Sequence, residues 1–139
     1  MTRVAYTFTF LNKHSYDTTK TGITVPVELI HGSNVVQVDA KLDTGASFCI
    51  FERTYGEMLG LNVESGEPET VSTANGTFQV FGHWLTVMAL GFQFDAMVYY
   101  AADERISRNV LGRRGFIDQI RLCLIEHDGG LYVSKYDDE

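Results

Sequence analysis

Residues 42–47 read Leu42-Asp43-Thr44-Gly45-Ala46-Ser47, and this run decides how the rest of the chain is interpreted. The residues before Asp43 alternate between apolar and polar, so the sequence predicts that its carboxylate emerges at the end of a strand. Thr44 can anchor a turn through its hydroxyl, and Gly45 permits a close backbone approach. A carboxylate held in such a turn can share a water molecule with a second carboxylate. The alternative is a capped turn with no catalytic role.

The length and composition indicate one folded domain. The chain has 139 residues, of which 45% are hydrophobic, and this excludes disorder. We therefore expect a single domain over residues 1–139. The chain contains 13 glycines but only 2 prolines, as is typical of many short strands joined by tight turns. Its net charge of −7 and the lack of any Lys/Arg block argue against nucleic acid as a partner.

The amino-terminal residues and the cysteines bear on location. Residues 1–8 contain no continuous apolar stretch and no small-residue cleavage site, so we expect neither a signal peptide nor a transmembrane helix. Cys49 and Cys123 lie within apolar runs and are interpreted as buried, free side chains. A reducing compartment fits them better than a disulfide framework does. The sequence therefore favours a cytoplasmic location and no membrane partner.

The first half of the chain predicts a hairpin that delivers Asp43. Residues 22–30 and 35–42 each alternate with period two, and a turn-forming cluster lies between them. Pro26 suggests that the first of these strands is lightly paired on one side. A short buried strand is expected over residues 48–51, followed by a short helix over residues 53–59.

The second half of the chain is also rich in predicted strands. After an acidic loop at residues 63–70, Asn75-Gly76 predicts a hairpin tip between β-prone residues. A second hairpin is expected around residues 91–92, and a buried strand at residues 120–125. Trp84 lies within a predicted strand and is assigned to the core. The sequence thus predicts an all-β fold with two short helices, the second of them after Gly112.

A second element supports the Asp43 motif. About seventy residues later the chain reads Val110-Leu111-Gly112-Arg113, two apolar residues and a glycine before the expected helix. With both elements in this order, the chain resembles the retropepsin-like aspartic proteases. The resemblance covers residues 22–125, where a hairpin, a glycine turn and a short helix occur twice. It implies a closed, all-β acid protease domain in which the apolar pair passes beside the catalytic turn.

The resemblance implies a homodimer, because one motif per chain supplies half an active site. It implies an aspartic endopeptidase that needs no cofactor or metal and cleaves extended peptides between apolar side chains. Peptide or protein would be its substrate, and a second copy its partner. The implied site residues are Asp43 (catalytic), Thr44, Gly45 and Ala46 (turn support), Ala74, Asn75, Gly76 and Thr77 (tip of a flap), and Val110, Leu111, Gly112 and Arg113 (second signature turn).

The chain departs from the family pattern at two places. Ser47 stands where retroviral enzymes often have an aspartate that pairs with the arginine of the later element, so Arg113 has no such partner here. Arg113 could serve the dimer interface or be solvated, and Arg114 is interpreted as solvated. The expected flap tip is less rich in glycine than that of the viral enzymes, and an ordinary tight turn is the alternative.

Other functions fit less well. A dimeric peptide-binding or scaffold module that keeps this fold but turns over weakly remains open. A pepsin-like enzyme of two lobes fails on the length and on the single motif. The four histidines are far apart and without metal-ligand spacing, and neither serine nor cysteine hydrolase motifs nor phosphate-binding loops occur. For the dimer, the strands expected at residues 4–10 and 131–133 are the predicted additional contacts.

Overall fold

The computed structural model describes residues 2–138, and strands dominate it, which confirms the all-β prediction. The single domain predicted over residues 1–139 includes Met1 and Glu139, which lie outside the described residues. The strands are Asn12–Ser15 (β1), Thr24–His31 (β2), Asn34–Leu42 (β3), Ile50–Phe51 (β4), Glu67–Thr73 (β5), Gly76–Ala89 (β6), Phe92–Ala101 (β7), Val110–Leu111 (β8), Ile120–Ile125 (β9) and Gly130–Lys135 (β10), and the α-helix is Arg53–Met58 (α1).

The hairpin of β2 and β3 forms as its alternation predicts. Val27 lies opposite Val38, and the inward residues of both strands are almost fully buried. Pro26 lies just outside the stretch of β2 that also pairs with β6, which begins at Val27. The light pairing expected at Pro26 is therefore found. The six inward residues of this hairpin, which form one wall of the core, are Val25, Val27, Leu29, Val36, Val38 and Ala40.

The main sheet closes on itself. Its strand order is β2-β3-β8-β4-β7-β6-β5, and β2 pairs additionally with β6. The β5–β6 hairpin therefore extends from a closed ring of six strands, and the ring surrounds the larger hydrophobic core. In this ring β8 lies between β3 and β4 and runs parallel to β3. The ring thereby places the residues after β3 and those after β8 side by side.

Two boundaries of the second half differ from the prediction. Residues 67–70 are part of β5 rather than of an acidic loop, because an edge strand pairs through its backbone and needs no apolar face. The strand β6 also runs unbroken through Gly82. A side chain at Gly82 would come within 2.8 Å of Met97 and Tyr99, so glycine there allows close packing rather than a turn.

The chain ends form a separate three-stranded sheet of order β1-β10-β9. The predicted strand at residues 4–10 is wrong for the single chain, since pairing begins at Asn12. The predicted strand at residues 131–133 is confirmed, but as the central strand β10, so it presents no free edge. Strand β9 is buried only at Ile120 and is exposed at its far end, where a buried strand was predicted.

Three smaller expectations also need correction. Trp84 is 65% exposed because it lies on the outward face of β6, opposite the face that buries Leu85. The second helix is a single 3-10 turn at Ile117–Gln119, because Gly115 adopts a φ of 100°, which a right-handed helix does not allow. Cys123 is half-buried, whereas Cys49 is buried as expected, and both are free.

We predict that Leu29→Ala lowers the free energy of unfolding by about 2–5 kcal/mol, because Leu29 is fully buried between β3 and β6. Val35→Ala, on the outward face of β3, is the matched control and should cost less than about 0.5 kcal/mol. Urea denaturation measures both. Equal losses for the two variants would contradict this description of the core.

Candidate active site

Asp43 lies directly after β3, as the sequence predicts, and its carboxylate is held in a turn. The backbone N–H of Gly45 donates a hydrogen bond to Asp43 Oδ1 at 2.9 Å, and the N–H of Ala46 donates to the Asp43 carbonyl at 3.2 Å. The side chain is 38% exposed and its second oxygen, Oδ2, makes no hydrogen bond within residues 2–138. Thr44 is exposed on the same turn. The turn therefore fixes one carboxylate oxygen and leaves the other open.

The segment after β8 supports this turn from the other side. The N–H of Asp43 donates to the Leu111 carbonyl at 3.0 Å, and the N–H of Arg113 donates to the Ala46 carbonyl at 2.9 Å. The N–H of Arg114 donates to the Ser47 carbonyl at 2.9 Å. These bonds continue the parallel pairing of β3 with β8 beyond the end of the sheet. The two signature elements thus form one hydrogen-bonded unit.

Gly112 is at the closest point of contact in this unit. A Cβ atom there would overlap the Phe48 carbonyl oxygen and lie 2.8 Å from the Ala46 carbonyl oxygen. Both neighbours are backbone atoms, so they could not move without distorting the turn. The N–H of Gly112 donates to Cys49 Sγ at 3.4 Å, and burial raises the pKa of the Cys49 thiol to about 12. Cys49 is therefore a neutral packing group beside the turn.

The β5–β6 hairpin has the form expected of a flap. Ala74 and Asn75 form its two-residue tip, and Gly76 follows with a φ of 124°. The hydroxyl of Thr73 donates to the Gly76 carbonyl at 3.0 Å, which closes the turn, and Thr77 is exposed beside it. This hairpin arm extends beyond the closed ring and is mostly exposed.

A small apolar cluster connects the turn to the base of this hairpin. It is separate from the main core, and we refer to it as the cleft cluster. The rings of Phe48 and Tyr99 contact one another within it, with centroids 4.7 Å apart. Burial raises the pKa of Tyr99, so its hydroxyl is neutral. The cluster consists of Ala46, Ile50, Val80, Tyr99 and Val110, with Phe48, Val71, Phe78 and Met97 packed against it.

The structure adds a residue that the sequence analysis missed. Arg108 Nη2 lies 3.8 Å from Asp43 Oδ2, and the Arg108 side chain is 31% exposed. A pair at this distance, between half-exposed groups, contributes at most about 1 kcal/mol. No sequence pattern marks Arg108; it lies in the loop before β8, and its side chain reaches from there to the Asp43 carboxylate. Asp43 therefore has a weakly held cationic neighbour.

The other residues that the sequence analysis considered for a site do not contact the Asp43 carboxylate. Arg113 is exposed and forms no ion pair within the described chain, and it lines a surface cavity of about 340 Å³ with Ser47. His14 and His83 are half-buried and contact backbone carbonyls. Between residues 2 and 138, no group of three or more His, Cys, Asp or Glu could hold a metal ion. In the same residues, no helix is long and apolar enough to span a bilayer.

Comparison with known proteins points to one family. A family model described as aspartyl protease matches residues 25–114, which begin within β2 and include both signature elements. The match ends just after the Gly112 contact with the Asp43 turn. No curated protein sequence matches the chain.

We predict that Gly112→Ala lowers the free energy of unfolding by about 1–3 kcal/mol or more, since the new methyl group must displace backbone at the Asp43 turn. Gly130→Ala is the control, because its methyl group would meet only side-chain atoms of Tyr132 and Lys13, at 3.1 and 3.3 Å. Urea denaturation should show the smaller loss for Gly130→Ala. A loss at Gly112 no larger than that at Gly130 would contradict the close approach.

Proposed function

Because the chain belongs to the aspartyl protease family, in its retropepsin-like clan, we propose that it is a homodimeric endopeptidase whose catalytic group is Asp43. The observation that carries this proposal is the Asp43 carboxylate, which accepts the Gly45 N–H on one oxygen and has no hydrogen bond within the described residues on the other. A carboxylate oxygen in this state can accept a proton from water.

One carboxylate is too few for the reaction. Hydrolysis requires a base that takes a proton from the attacking water and an acid that polarises the scissile carbonyl. As in aspartic proteases generally, two carboxylates about 3 Å apart cannot both be ionised, so the pair shares one proton and supplies both roles. A two-fold axis close to the Asp43 turn brings two identical carboxylates together. Thr44, exposed on the same turn, would then contact its symmetry mate.

The substrate is proposed to lie between the turn and the β5–β6 hairpin. An extended peptide can pair with exposed strand edges through its backbone while its side chains enter pockets. The cleft cluster offers apolar walls for those side chains, since it joins Ala46 of the turn to Val71 and Phe78 of the hairpin. Closure of the hairpin tip over the peptide would exclude water from the reaction.

The amino-terminal segment supports the dimer. Val4, Tyr6 and Phe8 alternate along the chain and are 67%, 79% and 58% exposed. The Arg121 guanidinium donates to the Thr9 carbonyl at 2.7 Å, which holds the segment against β9. Exposed apolar groups at period two fit a strand that pairs only with a second copy. The proposed interface therefore includes residues 4–10, whereas β10 is already paired on both sides.

A peptide-binding module with weak turnover is the second candidate. The observation that favours it is Arg108, which gives Asp43 an ion-pair partner where catalysis requires a second carboxylate. Such a module would bind extended peptides in the same cleft and release them uncleaved. For either function we propose a reducing, cytoplasmic location, supported by the two free cysteines.

We predict that Asp43→Asn abolishes cleavage of a mixed peptide pool, with a loss of at least about 10³-fold in rate. Asparagine keeps the size of the side chain and can still accept the Gly45 hydrogen bond, so folding and dimerisation should survive. Asp95→Asn is the matched control, because Asp95 is an exposed carboxylate on β7 that bonds only Thr86. It should cleave like the wild type. Full activity in purified Asp43→Asn protein would show that Asp43 is not catalytic and would favour the binding module.

A further inference from the structure

The Arg108 guanidinium is poorly satisfied for a half-buried group. Its nearest acidic atom, Asp43 Oδ2, is 3.8 Å away, beyond hydrogen-bonding distance, and its side chain donates no hydrogen bond within the described residues. Arg105, three residues earlier, differs from Arg108 because its guanidinium is hydrogen-bonded to a carboxylate. The Arg105 guanidinium donates from Nε and Nη2 to both oxygens of Asp103, at 2.8 to 3.2 Å, and so it already holds a carboxylate. Arg108 therefore retains the donors that a second carboxylate would need.

Arg108 also lies at the rim of a polar groove. The groove has a volume of about 750 Å³ and includes Lys20, Lys41 and Asn109. Neither lysine forms an ion pair within the part of the chain that the structure describes, so the groove presents three cationic groups. The carboxylates of Asp17 and Asp39 line it too, and Asp17 is engaged by Thr19. The groove thus carries three cationic groups and two carboxylates, an excess of one positive charge, on a chain of net charge −7.

The position of Arg108 limits which part of a substrate it can reach. In the proposed reaction, water lies about 3 Å from Asp43 and about 3 Å from the attacked carbon. The Arg108 guanidinium is therefore within roughly 10 Å of that carbon, and an extended peptide advances about 3.3 Å per residue. A distance of roughly 10 Å spans about three residues, so a substrate carboxylate within about three residues of the scissile bond, on either side, comes within its reach.

We propose that Arg108 is a specificity-determining residue that binds a substrate carboxylate, from Asp or Glu, within about three residues of the scissile bond. This inference rests on the proposed function and narrows it. A substrate carboxylate can form the bidentate contact that Asp43 does not form, and its arrival removes the cationic partner from Asp43. Because the dimer is symmetric, Arg108 occurs on both sides of the scissile bond, and an acidic side chain on either side is accepted.

This binding mode reconciles the cationic neighbour with catalysis. An acidic substrate exchanges places with Asp43 as the ion-pair partner, so that Asp43 is free to share a proton with its symmetry mate. A substrate without an acidic side chain leaves Arg108 beside Asp43. The cleft cluster then takes the apolar side chains farther along the peptide. The preference expected from the family resemblance, for apolar residues on both sides of the bond, is replaced by an acidic residue on one side.

The test uses pairs of peptides identified as substrates of the wild type that differ only by Glu or Gln at one position, which is moved in turn through the three residues on either side of the scissile bond. We expect the wild-type kcat/KM to favour Glu by about 10- to 100-fold, the range for a charged hydrogen bond. In Arg108→Gln the ratio should fall to about one, and Arg108→Lys should be intermediate. Arg105→Gln, which removes the same charge from the same loop, should keep the wild-type ratio.

The outcomes separate this inference from the proposed function. If the wild type cleaves peptides but shows no Glu preference, or if the preference survives in Arg108→Gln, the inference is wrong and the endopeptidase stands. If Arg108→Gln speeds cleavage of both peptides equally, Arg108 only restrains Asp43 and the inference is again wrong. If the wild type cleaves no peptide of the pool, the proposed function fails and the inference falls with it.

Discussion

The whole site depends on one close backbone contact, that between Gly112 and the residues after Asp43. The Asp43 turn is short and exposed, and its own two hydrogen bonds are those of an ordinary turn. It is made rigid by the segment after β8, whose backbone bonds it at the Asp43 N–H and the Ala46 carbonyl. Any side chain at Gly112 would force the two segments apart. The closed sheet exists in this form because β8 can lie between β3 and β4.

The same contact explains the electrostatics of the site. The loop before β8 carries Arg108, whose guanidinium lies 3.8 Å from the Asp43 carboxylate. A cation there opposes the proton sharing that a carboxylate pair requires, and its pairing with Asp43 is weak enough to be exchanged. In the proposed reaction, substrate choice and the state of Asp43 would thus be linked through one side chain. The position of β8 therefore sets both the turn geometry and the local charge.

The sequence predicted the parts of the fold that depend on local pattern. The β2–β3 hairpin, the strand end at Asp43, the short helix α1 and the Ala74–Asn75 tip all follow from alternation and turn residues. The sequence-based predictions were wrong where contacts with distant parts of the chain decide the local structure. Trp84 is exposed because of the face it occupies on β6, and residues 67–70 form a strand because β6 pairs with them. Arg108 was missed for the same reason, since no local pattern reports which side chains of distant segments come together.

The central claim is that two Asp43 carboxylates, one from each chain, form one catalytic site. The most direct test mixes wild-type and Asp43→Asn chains in varied ratios, allows subunits to exchange, and measures peptide cleavage at constant total protein. If both chains must supply Asp43, activity falls as the square of the wild-type fraction, to about one quarter in an equal mixture. A linear fall, to about one half, would show that a single Asp43 suffices and would contradict the account.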